Sequence, residues 1–342
     1  MRRLPLLVLP LGLSLLAGAC SRSTGETPPQ QLTGPKVAFL LSTLQEERYQ
    51  KDRTYFQARA LALGLAPFTL AADNDNAKQL AEVEDALARG AKVLVVQPTD
   101  SAAASAYVAK AHEQGAKIVA YDRSISGSPD YYVAHDSHSV GVMQAQEAIK
   151  ATGGKGNYVL LEGQSGHSVA SEITRGYHDV LDPLVATGAV KIVVERNHDS
   201  WSPEQALKTV EDAITKTNGD IEAILANNSG MARGAVQAVQ AGGLGAKHIF
   251  IAGADADAAN VNAVCEGKQS IEVLKDIKPL AEKAAEVAAA LANGQPVPGG
   301  ETAPGKVPVA AVPVHLVTAA NARALLIDSG FHAASSLPAC TK

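Results

Sequence analysis

The sequence predicts an α/β protein made of two Rossmann-like, doubly wound lobes. Three observations carry this expectation. Short runs of Val, Ile and Leu are continuously apolar rather than alternating, as strands buried on both faces are. Longer amphipathic stretches lie between them, most closing on a glycine, which is the βαβ pattern of a parallel sheet. After residue 152 the whole pattern begins again.

Taken in order, "KVAFLL" (36–41) is the first strand, and the helix after it runs to about Leu63 and stops at Gly64. "APFTLA" (66–71), a helix over Asn76–Arg89, "AKVLVVQP" (91–98), a helix over Ser101–Gln114, "AKIVAYD" (116–122) and "DYYVAHD" (130–136) follow. A helix over His138–Thr152 opens the second series. Its strands are "GNYVLLEG" (156–163), "VKIVVER" (190–196), "IEAILANN" (221–228), "HIFIAGAD" (248–255) and "QSIEVLK" (269–275), separated by helices over Ala170–Leu181, Pro203–Lys216, Ala232–Ala241 and Ala258–Glu266. The tail reads as one helix (279–294), one strand and one last helix (312–330), too little for a third domain. It must complete the two lobes already present, so the chain crosses between them more than once. The expected division is 36–134 with 276–294 as the N-terminal lobe and 135–275 with 295–342 as the C-terminal lobe. Crossings of this kind form a hinge, and the cleft they flank is a common ligand site.

The first residues read as an export signal of lipoprotein type over 1–19. "MRR" is followed by an apolar run too short for a comfortable membrane span, ending in small residues before Cys20. Cys20 is then the expected lipidation site, tethering the chain to a membrane surface without spanning it. Residues 20–35, rich in Ser, Thr, Gly and Pro, would be a flexible linker. The expected location is therefore the periplasm, with the chain exported and membrane-anchored. Of the other two cysteines, Cys265 and Cys340, the sequence leaves two readings open: a disulfide in an oxidising compartment, or two separate thiols.

Composition excludes several classes. At 342 residues, a charge of −5 and 46% hydrophobic content describe an ordinary globular chain of about two domains at ~150 residues each. The basic surface that nucleic acid requires is missing. No G-x-G-x-x-G follows the first strand, and neither G-x-S-x-G nor H-E-x-x-H occurs. No enzymatic activity, cofactor or metal is expected.

Ligands of open α/β sheets bind beyond the carboxyl ends of the strands. Those positions here hold Asp122 and Arg123, the 162–167 loop, Asn197–Trp201, Asn227–Ser229, Asp255, Asp257 and Lys275. Carboxylates, amides and an Arg fork suit a hydroxyl-rich ligand, and an aromatic face suits its C–H patches. Trp201 is the only tryptophan and lies in the polar stretch "NHDSWSPEQ". After the first strand, "QEERYQKDR" (45–53) starts a helix, with Thr43 and Glu46 spaced as a capping box. The i,i+4 pair Glu47–Lys51 reads as a solvated face, whereas Arg48 and Tyr49 face the cleft.

"ERYQKDR", "VVQP", "AYDR", "GNYVLLEG", "LANN", "GADAD", "VLKDI" and a late "DSGFH" occur in one order along the chain. Together they resemble the periplasmic D-xylose-binding proteins of bacterial sugar ABC importers, over Lys36 to Leu337. The resemblance implies the type I periplasmic binding-protein fold, with two lobes, three crossovers and closure around a monosaccharide. It implies sugar contacts at Arg48, Tyr49, Asp122, Arg123, Trp201, Asn228, Asp255 and Lys275. The family has a run of Asp and Asn where this chain reads "QSGHSVA" (164–170), so a contacting amide of the family becomes Val169 or a neighbour here, and His167 and Ser168 beside it join the expected contacts. It further implies a permease of a sugar ABC transporter as partner, with the chain acting as a monomer. The other use of such a domain is sugar sensing, feeding a kinase or chemoreceptor.

Overall fold

The computed structural model describes residues 33–297 and 306–341. The expected signal segment, Cys20 and most of the linker fall outside the described residues. Two six-stranded sheets organise the rest.

In the first sheet, β1 (Lys36–Leu41) pairs in parallel with β2 (Ala66–Ala71) on one side and β3 (Val93–Val96) on the other. β4 (Lys117–Tyr121) and β5 (Tyr131–His135) continue the sheet, and a late strand, β11 (Val309–Val312), adds in parallel beyond β5. The order 2-1-3-4-5-11 is a doubly wound arrangement whose direction of strand addition reverses beside β1. One face is covered by α1 (Glu47–Ala62) and α9 (Ile277–Ala292), the other by α2 (Asn76–Ala88) and α3 (Ser105–Glu113). Burial on both faces is why these strands are continuously apolar. Phe39, fully buried on β1, stacks on Phe56 of α1 at 4.2 Å and meets the Tyr121 ring edge-on at 5.0 Å. Burying a side chain of that size stabilises the fold by ~1.5–3 kcal/mol.

The second sheet repeats the plan: β6 (Gly156–Glu162), β7 (Val190–Asn197), β8 (Ala223–Ala226), β9 (Phe250–Ala254) and β10 (Ile271–Lys275) run in the order 7-6-8-9-10. β12 (Val314–Val317) closes it as an antiparallel edge on β10. The helices α4 (Ser137–Thr152), α5 (Ser168–Ala186), α6 (Pro203–Thr217), α7 (Ser229–Ala241) and α8 (Ala258–Cys265) surround it.

This is the type I periplasmic binding-protein architecture, two parallel-sheet lobes joined by three crossings. The chain passes from one sheet to the other at Asp136, Asp276 and Pro313. Asp136 and Asp276 each cap the helix that follows, accepting from Ser139 N at 3.0 Å and Lys278 N at 3.3 Å. His135, ending the first crossing strand, lies 3.0 Å through Nε2 from the carbonyl of Asp276 on the second.

The tail departs from the expected division. Residues 295–342 do not all belong to the C-terminal lobe, because β11 lies in the first sheet and only β12 joins the second. Pro313, which has no N–H for a sheet ladder, separates two strands where one was expected. The last helix is also no regular α-helix but a π-type turn over Arg323–Asp328. It packs through Leu326 with Leu337 on α8, where Cys265 and Cys340 form a disulfide, so the first of the two open cysteine readings holds.

Candidate functional site

The carboxyl ends of both sheets face each other, and the strand-end residues meet there. A narrow inner chamber is lined by Glu46, Arg48, Tyr49, Asp122, Arg123, Val169, Trp201, Asn228, Asp255 and Lys275. The space open to water centres inside it is about 10 Å³, room for about one water at the ~10–15 Å³ that one needs, so a larger ligand enters only when the lobes part. Outside it lies a cavity of about 360 Å³ that shares Glu46, Arg48, Trp201, Asn228 and Asp255 and adds Gln45, Ser200, Arg233 and Asp257.

Arg48 is the hub. It is buried in the first turn of α1, and its guanidinium reaches Asp122 at 3.1 Å, Asp52 at 3.5 Å and, from the other lobe, Asp255 at 3.2 Å. Lys275, at the end of β10, holds the same oxygen of Asp255 at 2.8 Å. Burial alone would raise the carboxyl of Asp122, but Arg48, His135 and Lys275 outweigh it and hold the group well below the usual range. Gln97 at the end of β3 donates to Asp122 at 3.0 Å and accepts from Ser42 at 2.8 Å. Asp52 is hydrogen-bonded to the hydroxyl of Tyr121, and burial moves its carboxyl up to about 6. Asp122 and Asp255 have φ of +60° and +98°, conformations that side-chain-bearing residues rarely adopt and that concentrate at ligand sites.

Arg123 donates to the Pro98 carbonyl at 3.0 Å and to the Tyr49 hydroxyl at 3.1 Å, so one buried guanidinium fixes the ring of Tyr49 in the chamber wall. Asn228 caps α7 by accepting from Met231 N at 2.9 Å, which commits its oxygen to the helix and leaves the amide nitrogen as the donor.

The expectation for Trp201 needs its support. Trp201 sits at φ +56° after a kink at Ser200 and is buried, with its ring over Gly163 at the end of β6. A Cβ at Gly163 would lie 2.4–2.5 Å from the indole, so only glycine allows this approach. The indole N–H donates to Nδ1 of His167 at 2.7 Å. That bond assigns the proton of His167 to Nε2, which donates to the Thr99 carbonyl of the first lobe at 2.6 Å. Burial, then Arg123, pulls the imidazole down to about 2 and keeps it neutral.

The structure therefore gathers Arg48, Tyr49, Asp122, Arg123, Trp201, Asn228, Asp255 and Lys275 at one chamber, but not His167 or Ser168. His167 is fully buried behind Trp201, and the Ser168 hydroxyl accepts from Ser124 N at 2.8 Å across the lobes. Both hold the scaffold in this way, and Val169, the position named for the family's contacting amide, lines the chamber. Sequence reasoning missed Glu46 by reading it as half of a capping box. Glu46 is itself the residue that starts α1, it makes no side-chain cap, and Thr43 Oγ1 accepts from Gln45 N at 3.1 Å. Its position two residues before Arg48 was the available signal. Among the described residues, no group of three or more His, Cys, Asp or Glu could hold a metal ion.

Two α/β lobes closing on a polar chamber define a periplasmic binding protein. The model of the periplasmic binding protein domain family matches residues 37–296, and the chain belongs to that family. It is 36% identical over 308 residues to the D-xylose-binding periplasmic protein of Escherichia coli, covering 88% of this chain and 92% of the relative. The corresponding protein of Haemophilus influenzae is 35% identical over 306 residues, with the same coverage. Among solved structures, a carbohydrate transporter solute-binding protein from Chloroflexus aurantiacus in complex with D-glucose superposes with a TM-score of 0.78 at 32% identity, covering 88% of this chain and 97% of that one. An ABC transporter solute-binding protein from Clostridium phytofermentans with bound β-D-glucose gives 0.81 at 26% identity, covering 88% and 99%.

Proposed function

We propose that this chain is the extracytoplasmic solute-binding component of an ABC importer and that it captures a monosaccharide, D-xylose or a related pentose or hexose, between its lobes. The observation that carries this is the chamber itself: three acids (Glu46, Asp122, Asp255) and three cations (Arg48, Arg123, Lys275) beside Tyr49 and Trp201. Balanced charge with many donors and acceptors suits a neutral polyol, and aromatic faces suit a pyranose ring. The similarity to D-xylose-binding and glucose-bound proteins supports the same class.

No bond is made or broken. The sugar replaces the Arg48–Asp255 contact with hydrogen bonds to both lobes, and its stronger binding to the closed form shifts the open–closed equilibrium. Asp136, Asp276 and Pro313 are the hinge. Closed lobes present a joint surface to a membrane permease. The chain works in the periplasm as a monomer, tethered through a lipid on Cys20.

The test is the emission of Trp201, the only tryptophan. Titration with D-xylose, D-ribose, L-arabinose, D-glucose and D-galactose should change it saturably with at least one sugar. A flat response to the whole panel defeats the assignment. Metabolic labelling with a fatty acid, lost in Cys20→Ser, tests the tether.

A further inference from the structure

Glu46 has a buried side-chain oxygen that the fold leaves unused. It begins α1 with φ −78° and ψ 146°, yet its carboxylate makes no cap, and its own carbonyl accepts from Tyr49 N at 3.2 Å. Oε2 is enclosed and has no hydrogen-bond partner. A buried acceptor in that condition costs ~1–3 kcal/mol, more for a charged group, so its retention calls for a partner supplied from outside the chain. Burial raises the carboxyl, with Arg123 acting against it.

Its place says what that partner is. Glu46 stands at the junction of the two spaces, lining the inner chamber with Asp122, Arg123 and Lys275 and the outer cavity with Arg233 and Asp257. A carboxylate accepts and does not donate, so its partner is a hydroxyl rather than an ether or acetal oxygen. A second carboxylate at this edge would meet four acids, Glu46, Glu47, Asp255 and Asp257, against two cations, Arg48, which is already paired with Asp122 and Asp255, and Arg233, so like-charge repulsion outweighs attraction.

We propose that Glu46 Oε2 accepts a hydrogen bond from the exocyclic hydroxymethyl group of a neutral aldohexopyranose, whose ring occupies the inner chamber and whose arm enters the outer cavity. This rests on the monosaccharide reading and narrows it. A hexopyranose carries one arm that stands away from its ring, and the outer cavity of about 360 Å³ is the room for it. D-Xylose is D-glucose without that arm, and D-glucuronate carries a carboxylate on it. The site therefore ranks glucose-like hexoses above xylose and rejects the sugar acid.

The experiment is calorimetric titration of wild type, Glu46→Leu and Glu46→Gln with D-glucose, D-xylose and D-glucuronate. Wild type should bind D-glucose about tenfold or more tighter than D-xylose and show no heat with D-glucuronate. Glu46→Leu should weaken D-glucose about tenfold or more and D-xylose at least severalfold less than that, because xylose lacks the arm that makes the contact. Glu46→Gln should retain part of the D-glucose affinity and admit D-glucuronate. Equal weakening of both neutral sugars by Glu46→Leu, at unchanged melting temperature, overturns the role of Glu46 while leaving the monosaccharide reading intact. So does wild type binding D-xylose as tightly as D-glucose. Wild type that binds no sugar in the wider panel overturns both.

Discussion

Arg48 of the first lobe and Asp255 of the second, 207 positions apart, meet at 3.2 Å inside the cleft. The contact joins the first turn of α1 to the end of β9, and Asp255 is held from its own side by Lys275. It is a direct charge pair between the two lobes, in the wall of the chamber. Under the proposed function, the two groups that join the lobes are also the ones that the sugar engages.

Removing that charge should loosen closure and binding together. Asp255→Asn should weaken sugar affinity about 10–100-fold, since it leaves Arg48 and Lys275 short of a buried anion. Small-angle scattering of the unliganded variant should show a larger radius of gyration than wild type. An unchanged radius with unchanged affinity would mean that the pair contributes nothing to closure.

The prop behind Trp201 is testable without touching the ligand. His167→Phe keeps an aromatic ring there but loses the acceptor for the indole N–H and the donor to Thr99. A buried donor left unsatisfied costs ~1–3 kcal/mol, so the melting temperature should fall and sugar affinity drop about tenfold. Trp201 emission should shift red as the ring loosens. Gly163→Ala should give the same loss of affinity through steric displacement of the indole. If His167→Phe melts and binds as wild type does, the assignment of His167 as a prop is wrong.

Much of this arrangement was legible in the residues. Continuously apolar strands alternating with helices closed by Gly64, Gly90 and Gly115 gave away the element order of the first lobe, and strand-end polar residues marked the cleft. What escaped depended on partners distant in sequence. His167 looks like a ligand because a histidine in a polar loop has no visible partner, and its two bonds, to Thr99 and Trp201, are 68 and 34 residues away. Glu46 looks like a cap because the spacing from Thr43 fits one, and nothing local shows that its carboxylate turns to the cleft. The tail reads as one strand because "VAAVPVHLV" is mostly apolar, broken only by Pro313 and His315. Only the two sheets show that its halves part company.

A buried carboxylate should make stability depend on pH. Glu272 lies beneath the Asp255 loop, accepting from Ser229 at 2.8 Å, Gln269 at 2.6 Å and Ala256 N at 3.0 Å. Burial pushes its carboxyl from 4.5 up to about 8. The folded state then holds a proton that the unfolded chain has released. Stability from this group is present below the unfolded value of 4.5 and is lost as pH rises from there through about 8. Wild type should melt higher at pH 5.5 than at pH 8.5, by an amount equivalent to a few kcal/mol. Glu272→Gln should flatten the slope; an equally steep profile would assign the pH dependence elsewhere.

The disulfide should stabilise without serving the site. Cys265–Cys340 closes a loop of 75 residues, and constraining a loop of that length is worth ~4 kcal/mol in the chain-entropy account. Cys265→Ser with Cys340→Ser should lower the melting temperature by several degrees and leave sugar affinity within about twofold. A loss of binding at temperatures where the variant stays folded would show that the tail against α8 supports the cleft.

Whether the Arg48 chamber closes on one monosaccharide is decided by titration calorimetry of wild type against Arg48→Ala. Wild type should bind at least one of D-glucose, D-xylose, D-ribose, L-arabinose and D-galactose at one sugar per chain, and folded Arg48→Ala should show no heat with that sugar. Heat of the same size and affinity in both proteins, or none in wild type with any of the five, would contradict it.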